Sequence, residues 1–280
     1  MTLNEIIMSL EIGLIYGIVA LGIYLTFRVI DFPDLTCDGS FVLGSATSSI
    51  LNKLGMNPWL SLLIALYAGA IAGIITALLY IKFRVTNLLA GILVAFMLYS
   101  INLRIMGGIP NISLINNDTI FTQLPVLYLL VIALVCCAIV TYLLSTDFGL
   151  SLFSIGQNKR LAQNSGVNIP CMTIICLALS NAIIALGGAL FSQHQGFADV
   201  SSGIGTVIVG LASVMIGEKI LPYRSIAFKT ISCVMGSILY RLFISFALHS
   251  DSLGLATSDL NLITGLMVIL IMYIPRRQSC

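Results

Sequence analysis

The chain has 280 residues, of which 59% are apolar and only 9% are charged, and its mean hydropathy is +1.07. A soluble protein of this length needs more charge to cover its surface, so the composition excludes a soluble globular class and indicates a lipid environment. The net charge of +2 comes without clusters of Lys and Arg, which excludes nucleic acid as a partner.

Nine apolar segments follow one another along the chain, and eight or nine of them are predicted to be transmembrane helices. A helix needs about 20 apolar residues to cross about 30 Å of hydrocarbon. The predicted spans are 6–27, 39–51, 59–80, 86–103, 125–145, 170–192, 203–217, 225–247 and 260–274. The expected fold class is therefore an all-α, polytopic transmembrane helix bundle, with residues 1–280 forming a single domain.

Two of the predicted spans are short for a complete crossing. At a rise of 1.5 Å per residue, 39–51 covers only about 20 Å and 203–217 covers little more. Irregular backbone survives at membrane depth only where protein or water covers it. We therefore expect either that the preceding residues also lie in the membrane, or that these spans are half-helices beside a polar cavity.

The basic residues at the helix ends predict the orientation, because Lys and Arg are retained on the cytoplasmic side. With nine spans and a cytoplasmic C-terminus, Lys53 and Arg104 fall outside and Arg241 falls within a span. The other ten of the 13 basic residues lie inside: Arg28, Lys82, Arg84, Lys159, Arg160, Lys219, Arg224, Lys229, Arg276 and Arg277. The N-terminus is therefore predicted to face outward.

Residues 31–40, DFPDLTCDGS, place three aspartates ahead of the short second span. Asp38 could cap that helix. Alternatively, Asp34, Thr36, Asp38 and Ser40 could line a water-filled path, because ionisable groups at membrane depth tend to face the bundle interior. The sequence leaves both interpretations open.

Two arginines near the predicted outer mouth are further candidates for this path. Arg104 follows the fourth span, and Arg241 lies inside the eighth, where a lone cation must snorkel, pair or face a cavity. An ion pair of Arg241 with Asp199 or Asp251 is the structural alternative. The outer segment 104–124 suits either a folded cap or a plain connecting loop.

Residues 146–169, TDFGLSLFSIGQNKRLAQNSGVNI, form the longest polar interval on the predicted cytoplasmic side. Its pattern predicts one short amphipathic helix bounded by Gly149 and Gly166, which could dock in a groove of a cytoplasmic partner. An ordinary surface loop is the alternative. The side chains expected to pack are Leu150, Phe153, Leu161 and Val167, and those expected to face water are Gln157, Asn158, Lys159, Arg160 and Gln163.

The sequence contains no motif for covalent chemistry. No nucleotide-binding loop of the form G-x-x-x-x-G-K-[ST], nucleophile elbow or His-Glu metal helix occurs, so an enzyme is disfavoured and no metal or cofactor is predicted. The seven cysteines lack metal or disulfide spacing and are interpreted as small buried apolar residues. His194 and His249 are interpreted as interfacial residues.

Several stretches together resemble one family of membrane proteins. They are FPDLTCDGSFVLG (32–44), TNLLAGILVAFMLYSINLRIMGGIPNISL (86–114), GEKILPYRS (217–225), GSILYRLFISFAL (236–248) and TSDLNLITG (257–265). These residues are similar to the permeases of bacterial ABC importers related to the branched-chain amino acid and ribose permeases, in the branch of tryptophan or tyrosine uptake systems.

The resemblance implies a permease of the bacterial inner membrane that works as two copies around a central path. It also implies two cytoplasmic ATPases that use the ATP, and an extracytoplasmic solute-binding protein that delivers a small solute, with an amino acid as the favoured substrate. Segment 146–169 becomes the coupling loop, with Gly156, Gln157, Asn158, Lys159, Arg160 and Gly166 as ATPase-coupling residues. An ion-coupled secondary transporter is the alternative, because carboxylates near a broken helix also suit ion coupling.

Two departures from the family pattern concern these sites. The family usually has Leu-Arg-Ala ahead of the coupling glycine, whereas this chain has Leu152, Phe153 and Ser154, and its basic residues follow the glycine instead. The family's Asp-Leu-Lys-Leu reads Asp-Leu-Asn-Leu at 259–262, which removes a charge near the outer mouth.

Overall fold

A computed structural model of the chain describes residues 3–115, 117–121, 125–220, 225–248, 264–267 and 269. Within these residues the chain forms a bundle of helices with two three-residue strands, which confirms the predicted all-α class. In chain order the elements are α1 (Leu3–Tyr24) with a π-helical turn (Leu25–Val29), α2 (Thr36–Lys53), α3 (Pro58–Lys82), α4 (Asn87–Ile105), β1 (Asn111–Ser113), α5 (Pro125–Ser145), α6 (Asp147–Gln157), α7 (Lys159–Asn164), α8 (Ile169–Gln195), β2 (Phe197–Asp199), α9 (Thr206–Ile220) and α10 (Ile226–Leu248).

Six helical segments of the described chain are long and apolar enough to cross a membrane. They are Leu3–Val29, Pro58–Lys82, Asn87–Ile105, Pro125–Ser145, Ile169–Gln195 and Ile226–Ala247. With the more polar α2 and the 15-residue α9, the described bundle has eight helices of 15 residues or more, roughly consistent with the predicted eight or nine spans. The ninth predicted span, 260–274, lies mostly outside the described residues. Within it, residues 264–267 are described and are helical.

The second helix is longer than the sequence predicted. It has 18 residues from Thr36 to Lys53, or about 27 Å, whereas the predicted span began at residue 39. The earlier start arises because the Oδ1 atom of Asp34 accepts the backbone N–H of Thr36 at 2.9 Å. Asp34 therefore caps α2, and the interpretation of Asp38 as its cap is wrong.

Helix α8 lies at the centre of the bundle, packed against α1, α2 and α3. Glycines let the backbones approach: a Cβ atom at Gly44 of α2 would lie 1.9 Å from the carbonyl oxygen of Ala185. A Cβ atom at Gly73 of α3 would lie 2.2 Å from the carbonyl oxygen of Leu177. Small residues at helix contacts are the usual means of tight packing in lipid. They hold α2 and α3 firmly against the middle of α8.

The described part of 104–124 folds as a cap over one end of the bundle. A folded cap was one of the two alternatives predicted for this segment, and a plain connecting loop was the other. Strand β1 pairs antiparallel with β2, with Ile112 opposite Ala198. The backbone N–H of Ile120 donates to Oε1 of Gln193 at 3.2 Å, which ties the cap to the end of α8. Residues 116 and 122–124 lie outside the described part.

The predicted single helix within 146–169 is in fact two helices, α6 and α7, separated at Asn158. Asn158 has extended backbone angles, and its Oδ1 accepts the N–H groups of Arg160 and Leu161, so it caps α7. Gly149 lies inside α6 rather than at its start. Gly166, with a φ of +84°, follows the end of α7 as predicted.

The packed face of these two helices also differs from the prediction. Leu150 and Leu161 are each 63% exposed, whereas Leu152, Ile155 and Ala162 are buried. The break at Asn158 rotates α7 relative to α6, so a single helical period cannot describe both. The exposed leucines leave apolar side chains on a polar surface.

Candidate functional site

A network of polar side chains lies inside the apolar bundle where α2 meets α8. Asp34 and Asn181 are both fully buried, and the Nδ2 atom of Asn181 donates to Oδ2 of Asp34 at 2.8 Å. Ser40 donates from its hydroxyl to Oδ1 of Asn181 at 2.7 Å. Asn181 is near the middle of the 27-residue α8, so the network lies deep in the bundle. Each polar group in it has a partner, as burial in an apolar medium requires.

Thr36 extends this network to α3. Its hydroxyl lies 2.7 Å from the hydroxyl of Thr76, and Thr76 also donates to the carbonyl oxygen of Ala72. Gly91 of α4 closes the network on its other side, because a Cβ there would lie 2.7 Å from the backbone nitrogen of Leu35. The tertiary structure thus brings Asp34, Thr36 and Ser40 together in a sealed cluster.

Asp38 faces a different element, the N-terminus of α9. The backbone N–H of Val207 donates to its Oδ1 at 2.9 Å, and that of Gly205 donates to its Oδ2 at 3.3 Å. A helix N-terminus carries partial positive charge, so a carboxylate there is favourable. Asp38 lies only two residues before Ser40 on α2, so the start of α9 contacts the first turn of α2. The two alternatives for 203–217, a half-helix beside a polar cavity or a span extended by the residues before it, stay predictions.

A cavity of about 400 Å³ opens beside Asp38, between α2, α4 and the segment that leads into α9. Its walls include Asp38, Gly39, Phe96, Tyr99, Asn102 and Ile204. Phe96 and Tyr99 are 75% and 56% exposed, so these two lining residues also lie on the surface of the bundle. The cavity therefore combines one carboxylate with apolar and aromatic walls.

Asn102, on the cavity wall, has an incomplete set of hydrogen bonds. Its Nδ2 donates to the carbonyl oxygen of Gly39 at 3.2 Å, whereas its Oδ1 has no partner among the described residues. Because the Gly39 carbonyl can only accept a hydrogen bond, the Nδ2 atom of Asn102 must face it, and this fixes the orientation of the Asn102 side-chain amide. A buried acceptor left without a donor costs about 1–3 kcal/mol.

The two arginines predicted for the path do not join these clusters. Arg104 is exposed at the end of α4. Arg241 packs its guanidinium over the ring of Tyr16, 4.8 Å from the ring centre. Asp199, one suggested partner of Arg241, instead accepts hydrogen bonds from Asn111 and Ser201. The other suggested partner, at 251, lies outside the described residues.

A second polar cluster lies under the cap. The Nε2 atom of His194 is 2.8 Å from Oε2 of Glu11, and both side chains are largely buried. The amide of Gln193 donates to Ser48 at 2.9 Å and to Ser61 at 3.1 Å. His194 is therefore a paired residue of the bundle rather than the interfacial residue that the sequence suggested. His249 lies outside the described residues.

The predicted coupling residues form an exposed surface at the opposite end from the cap. Gln157, Asn158, Lys159 and Arg160 are all exposed, and Lys159 donates from Nζ to the hydroxyl of Tyr80 at 3.2 Å. Gly156 alone of this group faces the bundle: a Cβ there would lie 2.1 Å from the carbonyl oxygen of Val29. This surface therefore rests directly on the turn that ends α1.

Other basic residues cluster at the same end. Arg28, in the π-helical turn, donates from Nη2 to Oε2 of Glu218 near the end of α9. Lys229 lies over the ring of Phe153 in α6, 5.4 Å from its centre. Three residues of the predicted inside set, Arg28, Lys159 and Lys229, are therefore on one end of the bundle, whereas Arg224, Arg276 and Arg277 lie outside the described residues.

The described residues hold no group of three or more His, Cys, Asp and Glu that could bind a metal ion. Of the cysteines, Cys171 is exposed near the start of α8, which departs from the prediction. Five others are buried as predicted: Cys37, Cys136, Cys137, Cys176 and Cys233. Cys280 lies outside the described part.

Several functional candidates escaped the sequence prediction. Asn181, Thr76 and Asn102 each lie in an apolar helical run, and a polar residue in such a run is a signal for an interior-facing position. That signal was available for Asn181 within LALSNAIIALGG. No sequence pattern shows that Glu11 and His194, which are 183 residues apart, form a pair.

Comparison with known proteins gives consistent matches along the whole chain. A family model described as "Branched-chain amino acid transport system / permease component" matches residues 6–273. A tyrosine transport system permease protein of Clostridioides difficile is 38% identical over 269 residues, which are 95% of this chain and 90% of that protein. The nucleoside ABC transporter permease protein NupC of Lactococcus lactis is 28% identical over 238 residues, covering 75% and 71% of the two chains.

A solved structure has the same overall arrangement. PsaBC from Streptococcus pneumoniae in complex with Fab aligns with a TM-score of 0.59 over 99% of this chain and 92% of that chain, at 13% identity. At this level of identity the likeness shows a shared fold.

Proposed function

Because this chain belongs to the family of branched-chain amino acid transport system permease components, we propose that it forms the membrane path of an ATP-driven importer for an aromatic amino acid. The 38% identity with a tyrosine transport system permease, over nearly the whole of both chains, supports the choice of substrate. The polar cluster of Asp34, Ser40 and Asn181 in the middle of an apolar bundle is the structural observation that carries the proposal. Buried polar groups at such depth are costly and mark substrate paths.

The proposal includes partners for this chain. It lacks a nucleotide-binding loop, so we assign ATP hydrolysis to a separate ATPase subunit that docks on α6 and α7. Gln157, Asn158, Lys159 and Arg160 are exposed there, and the side chains of Leu150 and Leu161 offer apolar contact area. A solute-binding protein would dock at the opposite end, over the cap of β1 and β2, and a second permease copy would complete the path. We further propose that the chain lies in a bacterial inner membrane with its N-terminus outside.

A mechanical link supports this division of roles. Gly156 contacts the carbonyl oxygen of Val29, and five residues later Asp34 enters the buried cluster with Asn181. Between them Asp31 has a φ of +52°, a conformation that a non-glycine residue adopts at a cost. A displacement of α6 would therefore be transmitted to Asp34 through the short, sterically constrained segment 29–34. We propose that ATPase closure uses this link to rearrange the cluster and open the path.

The test is reconstitution of this chain with its ATPase in liposomes, followed by uptake of radiolabelled L-tyrosine delivered by the binding protein. We expect accumulation to require ATP and to fail with a hydrolysis-deficient ATPase. A secondary transporter would instead accumulate solute from an ion gradient with no ATPase present. Uptake of that kind would overturn the proposed function.

A further inference from the structure

A groove of about 460 Å³ lies between the end of α3, the turn into α4 and the start of α8. It is at the same end of the bundle as the predicted coupling residues, because Tyr80 in its wall accepts the hydrogen bond from Lys159. The import mechanism proposed above gives no role to the residues that line this groove.

The charges around the groove are positive. Arg84 lies in its wall, and the Nζ atom of Lys159 is 3.2 Å from the wall hydroxyl of Tyr80. Neither cation forms an ion pair with a described residue, and no Asp or Glu is among the described residues that line the groove. Thr86 and Ile169, also in the wall, are at the starts of α4 and α8, where the ends of two helix dipoles add positive charge. An anionic ligand fits these charges.

Thr173 brings a hydroxyl without a partner to the same groove. Thr173 lines the groove and is only 4% exposed, yet its hydroxyl makes no hydrogen bond within the described chain. The side chain of Thr86 likewise does not cap α4, although Thr86 is in the N-cap position. A largely buried hydroxyl without a partner is unfavourable, and an oxygen of an anionic ligand would accept its hydrogen bond.

Arg84 is held at the groove by a strained backbone. Its φ is +55°, a left-handed conformation that glycine adopts more readily than arginine at the end of a helix. Strain of this kind in a residue other than glycine is a reason to look for a function of its side chain. Arg84 has no ion pair with a described residue, so a ligand that binds its guanidinium would account for an arginine here.

The surroundings of the groove favour a lipid over a free anion. Phe83, which precedes Arg84, is 68% exposed, and Leu88 and Leu89 in the first turn of α4 are 47% and 48% exposed. Apolar side chains that are exposed at the end of a spanning helix suit contact with acyl chains. A cation beside them is then at the level of the lipid headgroups.

We propose that this groove binds the phosphate group of an anionic phospholipid, with Arg84 and the hydroxyls of Thr86 and Thr173 on the phosphate oxygens and Lys159 adding positive charge beside them. Basic pockets between spanning helices are a known form of headgroup site. The inference requires that α3, α4 and α8 cross the membrane. It depends neither on the solute nor on ATP.

The first experiment uses the purified, unaltered chain in detergent with equal amounts of dioleoylphosphatidylglycerol and dioleoylphosphatidylcholine. Native mass spectrometry measures which lipid the chain retains. We expect the anionic lipid to be retained at least about fivefold more than the zwitterionic one, and inorganic phosphate at millimolar concentration to leave it bound. Equal retention of the two lipids would overturn the proposal. Displacement by inorganic phosphate would also overturn it, because the groove would then be a site for a free anion.

The second experiment compares two arginines at opposite ends of α4. Arg84→Gln should lower the preference for phosphatidylglycerol about fivefold. Arg104→Gln is the matched control, because it removes the same charge from an exposed position at the far end of the helix, and it should leave the preference unchanged.

Two further variants separate binding from folding. Arg84→Gly should lower the preference as Arg84→Gln does, whereas its melting temperature should not fall, because glycine adopts a φ of +55° without strain. Thr173→Val keeps the shape of the side chain and removes only the unpaired hydroxyl. It should lower the preference about threefold and leave the melting temperature unchanged.

The lipid site and the import function fail separately. If Arg84→Gln retains phosphatidylglycerol as the unaltered chain does, or if Arg104→Gln loses as much of it, the lipid site is wrong. If Arg84→Gln keeps the lipid but no longer binds the ATPase subunit, the groove belongs to the ATPase surface and the lipid site is wrong as well. ATP-dependent uptake by the complete complex would still stand in these cases. Uptake that needs no ATP would overturn the import function instead.

Discussion

Gly156 of α6 lies so close to Val29 that a Cβ atom would be 2.1 Å from the Val29 carbonyl oxygen. The neighbouring atoms are backbone, so they cannot move aside as a flexible side chain would. The predicted coupling surface and the end of the first spanning helix are therefore in direct contact. If the coupling surface moved without the end of this helix, a gap would form between them or their atoms would clash.

We expect Gly156→Ala to uncouple ATP hydrolysis from transport. The methyl group would force α6 away from Val29, so the ratio of solute transported to ATP hydrolysed should fall several-fold while hydrolysis continues. Gly265→Ala is the control, because a Cβ at that helical glycine has no atom of the described residues within 4 Å. The measurement is uptake and phosphate release in the same liposomes. An unchanged ratio for Gly156→Ala would contradict the proposed link.

We expect Asp34→Ala to destabilise the protein by about 2 kcal/mol, because it leaves the Thr36 N–H and one N–H of the Asn181 amide without an acceptor, while the amide keeps its bond to the Leu177 carbonyl. Asn181→Ala should also destabilise it, since the Asp34 carboxylate would lose a buried donor. The double variant should lose less than the sum of the two, because both remove one interaction. Thermal unfolding in detergent measures each value. Additive losses would show that the two residues act independently.

Asp118→Ala provides the comparison for this set. Asp118 is an exposed acidic residue of the cap, and its removal should change stability by no more than about 0.5 kcal/mol.

Cysteine labelling tests the predicted orientation. In a chain with Cys171→Ser and Cys280→Ser, we expect Gln157→Cys to react with a membrane-impermeant maleimide only in inside-out vesicles. Ile115→Cys, at an 85% exposed position next to the cap, should react in cells whose inner membrane is intact. The reverse pattern would place the coupling surface outside and would remove the ATPase docking site.

The cap should depend on pH through Asp199, which lies on β2 outside the spanning helices. Partial burial acts against its ionised form, but hydrogen bonds from Ser201 and Asn111 outweigh this and hold the pKa of Asp199 below its usual value. Because the folded pKa is the lower one, the stabilisation is complete above about pH 4 and is lost as the pH falls through the folded value.

Hydrogen exchange of residues 111–113 and 197–201, corrected for the intrinsic effect of pH, measures this dependence. We expect protection at neutral pH to be lost in strong acid, and Asp199→Ala to lose it already at neutral pH. Asp118→Asn should behave as the unaltered chain does. Equal protection in Asp199→Ala and the unaltered chain at neutral pH would show that the carboxylate does not stabilise the cap.

The helical class and most spans could be predicted because a bilayer imposes a simple rule on sequence. A segment that crosses lipid must be apolar over about 20 residues and must satisfy its backbone internally. The limits of α2 could not be predicted in this way, since the start depends on a side chain two residues ahead of it. Asn158 is a similar case, because one amide oxygen divides a helical pattern into α6 and α7.

The polar residues of 31–40 were identified as site candidates from the sequence, but their hydrogen-bond partners were not. Asp34 and Asp38 are four residues apart in one short segment, yet Asp34 binds Asn181 of α8 and Asp38 binds the N-terminus of α9. The sequence cannot distinguish them, because both satisfy the same local pattern of an acid beside a helix start. Their partners are more than 140 residues away.

The sequence by itself determined the lipid environment of this protein, its helical class and its family, since apolar composition and local motifs are properties of short segments. Only the tertiary structure decided which polar groups meet, which are sealed and which face the cavity. Pairs such as Glu11 with His194, and the unpaired Oδ1 of Asn102, depend on where helices distant in the chain pack. That packing is set by close contacts between backbones, which no single segment encodes.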